Sequence, residues 1–198
     1  MRSDQATPAG LRERKKLSTR QQLARAALRL AVERGPANVR REDIAAAADV
    51  SLRTFSNHFA GKEEAIVSLA AERAAGVIAG LRARPAGEHL GEALTAAVVA
   101  QYAGPPPDRE WIEQIRVIVS APQLRGAYLA ALIEIEGRLA EAIAERLGAG
   151  PRPELRPRVL AAAVCAAERA AIGFWLDSDA RVPLPELLSR AIGQVVRS

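Results

Sequence analysis

Apolar positions recur every three or four residues through most of the chain, and nowhere do they alternate as in a half-buried strand. Leu23, Ala27, Leu30 and Ala31 share one helical face that ends at Gly35-Pro36, so the spacing predicts a helix over 18–34. Ser18 stands where it could cap that helix, with Gln21 placed to reach back to it. Ile44, Ala45 and Ala48 predict a short helix over 41–47, and Ser51 predicts the cap of another over 52–58. A fourth is expected over 62–84, with Glu63 and Glu64 at its positive end. Beyond Pro85, breaks at Gly87, Gly104 to Pro107, Pro122, Gly148 to Pro153 and Pro183 to Pro185 bound helices over 88–103, 108–120, 124–147, 154–177 and 184–196. The expected fold class is all-α: an N-terminal three-helix helix-turn-helix module followed by a C-terminal helical bundle that forms a homodimer.

The dimer expectation comes from residues 159–176, VLAAAVCAAERAAIGFWL, which are apolar almost all round apart from Glu168 and Arg169. Such a helix has to be covered on more than one side. The pattern points to an interface built from the last two helices, with Val164 and Ala167 in it.

Charge divides the chain in the same place. Residues 1–62 hold thirteen Lys or Arg against six Asp or Glu, a balance of +7, whereas the remainder sums to −2. A localised basic excess is the footprint of a face that meets a polyanion. Residues 1–17 are polar and basic with no apolar period, and are expected to form a flexible arm in which Arg12, Arg14, Lys15 and Lys16 neutralise phosphates. Division into 1–17 (arm), 18–64 (helix-turn-helix) and 65–198 (effector binding and dimerisation) follows. One cysteine, Cys165, excludes an internal disulfide. No charge-free apolar run of about 18 residues and no leader-like N-terminus is present, which predicts a cytoplasmic, nucleoid-associated protein with no membrane partner. No cofactor or metal is expected, because no nucleophile elbow, phosphate loop or metal spacing occurs.

The informative stretch is RREDIAAAADVSLRTFSNHFAGK, from Arg40 to Lys62. Ile44, Ala45, Val50, Phe55 and Phe59 are spaced so that two short helices cross over a small shared core. Asp49 in the turn tolerates a left-handed backbone better than most residues. Leu52, Arg53, Ser56, Asn57 and His58 then remain outward on the second helix, a set able to enter a major groove. In Ile44, Ala45, Ala48, Val50, Ser51, Thr54, Phe55, His58, Phe59 and Lys62 the chain resembles the TetR family of repressors. That resemblance implies phosphate contacts from Thr54 and His58, base reading by Arg53, and Lys62 at the start of the fourth helix beside the DNA backbone. Asp49 replaces the usual Gly, Ser56 the usual Tyr, and Arg40 and Arg41 the common Thr and Val. The DNA-binding set is therefore Arg40, Arg41, Ser51, Leu52, Arg53, Thr54, Ser56, Asn57, His58 and Lys62. Pro122 to Arg125 and Trp175-Leu176 further resemble a branch of that family associated with acyl-CoA-like ligands.

In the C-terminal part, Trp111, Ile112, Ile115 and Val119 form a stripe that reads as core or as pocket wall. Tyr102, Trp111, Ile115, Arg116, Val119, Tyr128, Leu132, Arg169 and Trp175 are the candidate effector pocket. Arg169, a charge in an apolar helix, is expected to need an ion-pair partner or an anionic effector. The whole pattern predicts a regulator that binds double-stranded operator DNA and a small lipophilic or acyl-CoA-like effector. The rival reading is a helical small-molecule-binding or enzymatic protein whose basic N-terminus serves solubility.

Overall fold

In the computed structural model, residues 8–104, 108–148, 154–179 and 181–196 are described. Among them are nine α-helices and no strand: α1 Pro8–Arg34, α2 Arg41–Ala47, α3 Leu52–Ser56, α4 Lys62–Ala83, α5 Leu90–Ala100, α6 Arg109–Ser120, α7 Arg125–Arg146, α8 Leu155–Asp177 and α9 Leu184–Val196. Two 3-10 turns, Pro36–Asn38 and Pro122–Leu124, join α1 to α2 and α6 to α7.

The clearest departure from the sequence pattern is the start of α1, ten residues ahead of Ser18. Residues 8–17, expected as part of a flexible arm, are helical. Leu, Arg, Glu and Lys there are strong helix formers, and Pro8 suits a first helical position. Ser18 is consequently interior rather than a cap, and Thr19 Oγ1 donates to the Lys15 carbonyl at 3.0 Å, one turn earlier. Apolar periodicity reports burial, so an exposed helical turn leaves no such trace. Residues 1–7 and the Arg12 side chain lie outside the described residues.

Two hydrophobic cores share α4. The first gathers Leu23, Ala27, Leu28 and Ala31 of α1 with Val39, Ile44, Phe55, Phe59 and residues 65–67 at the start of α4. The second takes Val77, Ile78 and Leu81 from the far half of α4 and packs them with α5, α7, α8 and α9 around Leu94, Ile143, Trp175, Leu188 and Ile192. Ile118 of α6 and Leu124 cross over and finish the first core. The α5–α9 approach is close at Gly91, where a Cβ would stand 3.0 Å from the Val196 carbonyl oxygen.

Helix α8 is long and apolar enough, by length and composition, to cross a membrane, yet it packs in the bundle against α7 and α9. Its inward face includes Val164 and Ala167, 1% and 8% exposed. Both are expected from the sequence at an intersubunit interface, and both are instead core of their own chain, because α7 and α9 already cover that side. The large apolar side chains left uncovered on α8 are Leu155, Val159 and Phe174, exposed by 77%, 54% and 60%.

Candidate DNA-binding face and effector cavity

Asp49 adopts φ 53°, the left-handed turn anticipated for it, and this sets α3 across α2. Ser51 caps α3: its Oγ accepts from the Thr54 amide at 3.1 Å and lies 2.9 Å from Thr54 Oγ1. Phe55 turns inward and meets Phe59 with ring centroids 5.8 Å apart. With Phe55 anchored beneath, Leu52, Arg53, Ser56 and Asn57 stand exposed on the outer side of α3 and its C-terminal cap. Arg40 and Arg41 are exposed at the start of α2, where the Arg40 amide donates to Asp43 Oδ2 at 3.2 Å. That carboxylate supplies half of a capping box even though no Ser or Thr stands at the cap.

The geometry gives one of the anticipated DNA-binding residues, Lys62, other work. Lys62 Nζ donates to the carbonyls of Pro36, Ala37 and Val39 at 2.9, 3.1 and 2.9 Å. All three ammonium donors are spent on the α1–α2 turn, so Lys62 locks that turn to α4 instead of presenting its charge to DNA. His58 is half-buried, and burial first, then the charges of Arg20 and Lys16, hold its imidazole below its ordinary pKa.

Arg20, which no sequence pattern singles out, ties this unit together. Its guanidinium donates to the His58 carbonyl, pairs with Glu64 at 3.2 Å and lies 4.1 Å from the Phe59 ring centroid. Glu64 Oε2 in turn accepts from the Ala60 amide at 2.8 Å, closing the α3–α4 connection. One arginine on the cationic face of α1 looks like any other in sequence, and only the fold distinguishes the one beneath the recognition helix.

Between the two cores a cavity of about 370 Å³ is lined from α1, α4, α6, α7, α8 and the end of α5. Tyr102, Trp111, Ile115, Val119, Tyr128, Leu132 and Arg169 of the anticipated pocket all line it. Arg116 does not: it is exposed on α6, 4.0 Å from Glu113. Nor does Trp175, which is fully buried behind Trp111 with ring centroids 5.7 Å apart.

The polar groups of the cavity have little warning in the sequence. Arg73 of α4 stacks on Tyr102 and Trp111, 5.0 and 5.3 Å from their centroids. Tyr102 Oη donates to Glu168 Oε1 at 2.6 Å. Burial pushes the Glu168 carboxyl above its usual range, against the pull of Tyr102 and Arg73. Glu72, also facing the cavity, is raised by burial, and Cys165 is pushed up to about 12 by burial and by Glu168. That thiol is inert. Arg169, expected to need a partner, is exposed at the cavity edge. The buried charge is its neighbour, Glu168: consecutive helical residues point about 100° apart, and apolar surroundings in sequence do not say which one faces inward.

A helix-turn-helix carried on an all-helical bundle defines a class of transcription regulator. Residues 23–68 match the profile described as bacterial regulatory proteins of the tetR family, and residues 88–198 match the one described as the MftR C-terminal domain. The HTH-type transcriptional regulator TcmR of Streptomyces glaucescens is 36% identical over 183 residues, covering 87% of this chain and 80% of that protein. Among solved structures, the fatty acid degradation regulator FadR from Bacillus halodurans aligns with a TM-score of 0.57 at 19% identity, over 91% of this chain and 95% of its own. A SmeT–triclosan complex aligns with a TM-score of 0.59 at 17% identity, over 91% and 93%. The chain belongs to the TetR family. It is a DNA-binding transcriptional regulator and not an enzyme.

Proposed function

We propose that the protein is a homodimeric repressor in which two copies of α3 enter successive major grooves of a pseudo-palindromic operator, about 34–36 Å apart. The observation that carries this reading is the outer side of α3, where Leu52, Arg53, Ser56 and Asn57 are exposed above a buried Phe55. Arg53 and Asn57 read base edges, Ser51, Thr54, Ser56 and His58 meet the sugar-phosphate backbone, Leu52 offers an apolar contact, and Arg40 and Arg41 contribute charge from α2. Lys62 acts through position. Residues 18–64 are the gripping unit and the rest responds and dimerises, with α4 common to both. The protein acts in the cytoplasm, on the nucleoid.

Release is coupled to the cavity. Ile118 lines it while completing the first core, and Leu28 and Leu69 face it from α1 and α4. A ligand that fits only one spacing of α1, α4 and α6 shifts the population toward that spacing, by its differential affinity for the two states. The effector is a small, largely apolar molecule. An acyl-CoA has less support, because Arg73 and Arg169 are matched by Glu72 and Glu168 and no cluster of cations among the lining residues is left for a pyrophosphate.

A gel shift with the duplex upstream of the protein's own coding sequence tests the reading. A retarded band that excess unlabelled duplex removes and random duplex does not is the expected result. Equal competition by random duplex overturns it.

A further inference from the structure

The cavity holds a polar atom that no described residue satisfies. Glu168 is largely covered by the bundle and lines the cavity. Its Oε1 accepts the Tyr102 hydroxyl at 2.6 Å, whereas no donor among the described residues meets Oε2. No enclosed side-chain oxygen is left unsatisfied in the described residues, so Oε2 is not sealed in protein and opens on the cavity. An acceptor in that setting gains most from a donor brought by a ligand.

The rest of the wall narrows the ligand further. Tyr102, Trp111 and Tyr128 supply aromatic surface, and about 370 Å³ suits a compact ring system. Arg73 already occupies the cation position against Tyr102 and Trp111, which a cationic ligand would have to contest. A carboxylate or phosphate placed on the same rings would face Glu168, a carboxyl anchored by Tyr102 and unable to turn away.

Resting on the effector reading above, we infer that Glu168 selects an uncharged, ring-bearing effector that donates an O–H or N–H hydrogen bond to Oε2, with Tyr102 and Arg73 positioning the carboxyl.

Three probes of one shape separate the possibilities: 2-(hydroxymethyl)anthraquinone, anthraquinone and anthraquinone-2-carboxylate. Binding to the full chain is followed by quenching of its two tryptophans, of which Trp111 lines the cavity and Trp175 packs against it. The hydroxymethyl compound should bind about ten-fold more tightly than either of the others, the worth of one good hydrogen bond. Glu168→Leu should bring it down to the level of anthraquinone, and Glu168→Gln, whose single oxygen is taken by the Tyr102 hydroxyl so that its NH2 faces the cavity, should lose the preference as well. Melting curves of both variants establish that the bundle is intact, and the Gln variant carries the test if the Leu variant does not fold. A carboxylate that binds tightest, or a ranking that Glu168→Leu leaves unchanged, overturns the inference and leaves the cavity as a ligand site. Failure of all three probes to quench overturns the effector reading of this cavity as well.

Discussion

At the residue scale, the least expected side chains are those whose chemistry is used internally. Lys62 engages three carbonyls, and Glu168 holds a carboxyl where burial disfavours its charge. A raised carboxyl opposes folding once ionised: the penalty is absent below the unfolded value near pH 4.3 and grows as pH rises through the folded one. Glu168→Gln should therefore melt higher than the parent at pH 7, and the gap should close as pH falls toward 4. A Gln variant that melts lower at pH 7 would mean that Tyr102 and Arg73 more than offset the burial. For the DNA face, Arg53→Ala and Asn57→Ala should each cost on the order of 1–3 kcal/mol on operator and little on random duplex. Lys62→Met should behave differently, lowering the melting temperature and binding to both duplexes while leaving the salt slope unchanged. A slope reduced by about one would restore Lys62 to the phosphate contacts.

Among the elements, α1 and the α2–α3 turn carry the next tests. Lys15 and Lys16 ride on a helix that leads to Arg20 and the α2–α3 unit, and the proposal is that they meet phosphates from that scaffold. Lys15→Gln with Lys16→Gln should flatten the plot of log affinity against log salt by roughly 0.9 for each phosphate no longer neutralised, while the chain keeps its helicity. An unchanged slope would make this part of α1 a structural extension only. In the turn, Asp49 carries the strain of a left-handed residue that has a Cβ. Asp49→Gly should raise stability by about 1 kcal/mol, seen as a higher denaturant midpoint with the same slope, and Asp49→Val should lower it.

For the whole molecule, the question is what covers the outer face of α8. Phe174 and Val159 are the positions at which a second copy is proposed to pack, since a lone helix-turn-helix selects an operator weakly. Phe174→Glu or Val159→Glu should sediment as a helical monomer with lost operator affinity, because an unpaired charge in an interface costs several kcal/mol. Val164→Glu should instead unfold the chain, as its side chain is sealed in the bundle. A Phe174→Glu protein that stays dimeric with full affinity would move the interface elsewhere on the molecule.

Helix positions are legible in the sequence because apolar spacing and Pro or Gly breaks are local properties, and α2 through α9 fall close to where those signals put them. The turn at Asp49, the cap at Ser51 and the inward Phe55 are readable for the same reason, and the family resemblance rests on them. Arg169 and Glu168 mark where local reading ends: both stand out as charges in an apolar run, and only the packing of the other helices on α8, with Arg73 of α4 and Tyr102 at the end of α5 against Glu168, decides which one is buried. Val164 is apolar enough for either a core or an interface, and the same packing chooses the core. The contribution of α4 to the cavity has no sequence signal at all, since Glu72-Arg73 reads as a solvated pair until α5, α6 and α8 are laid against it. Pattern determines whether a residue is to be hidden; the neighbour that hides it belongs to a distant part of the chain, and that is settled by tertiary structure alone.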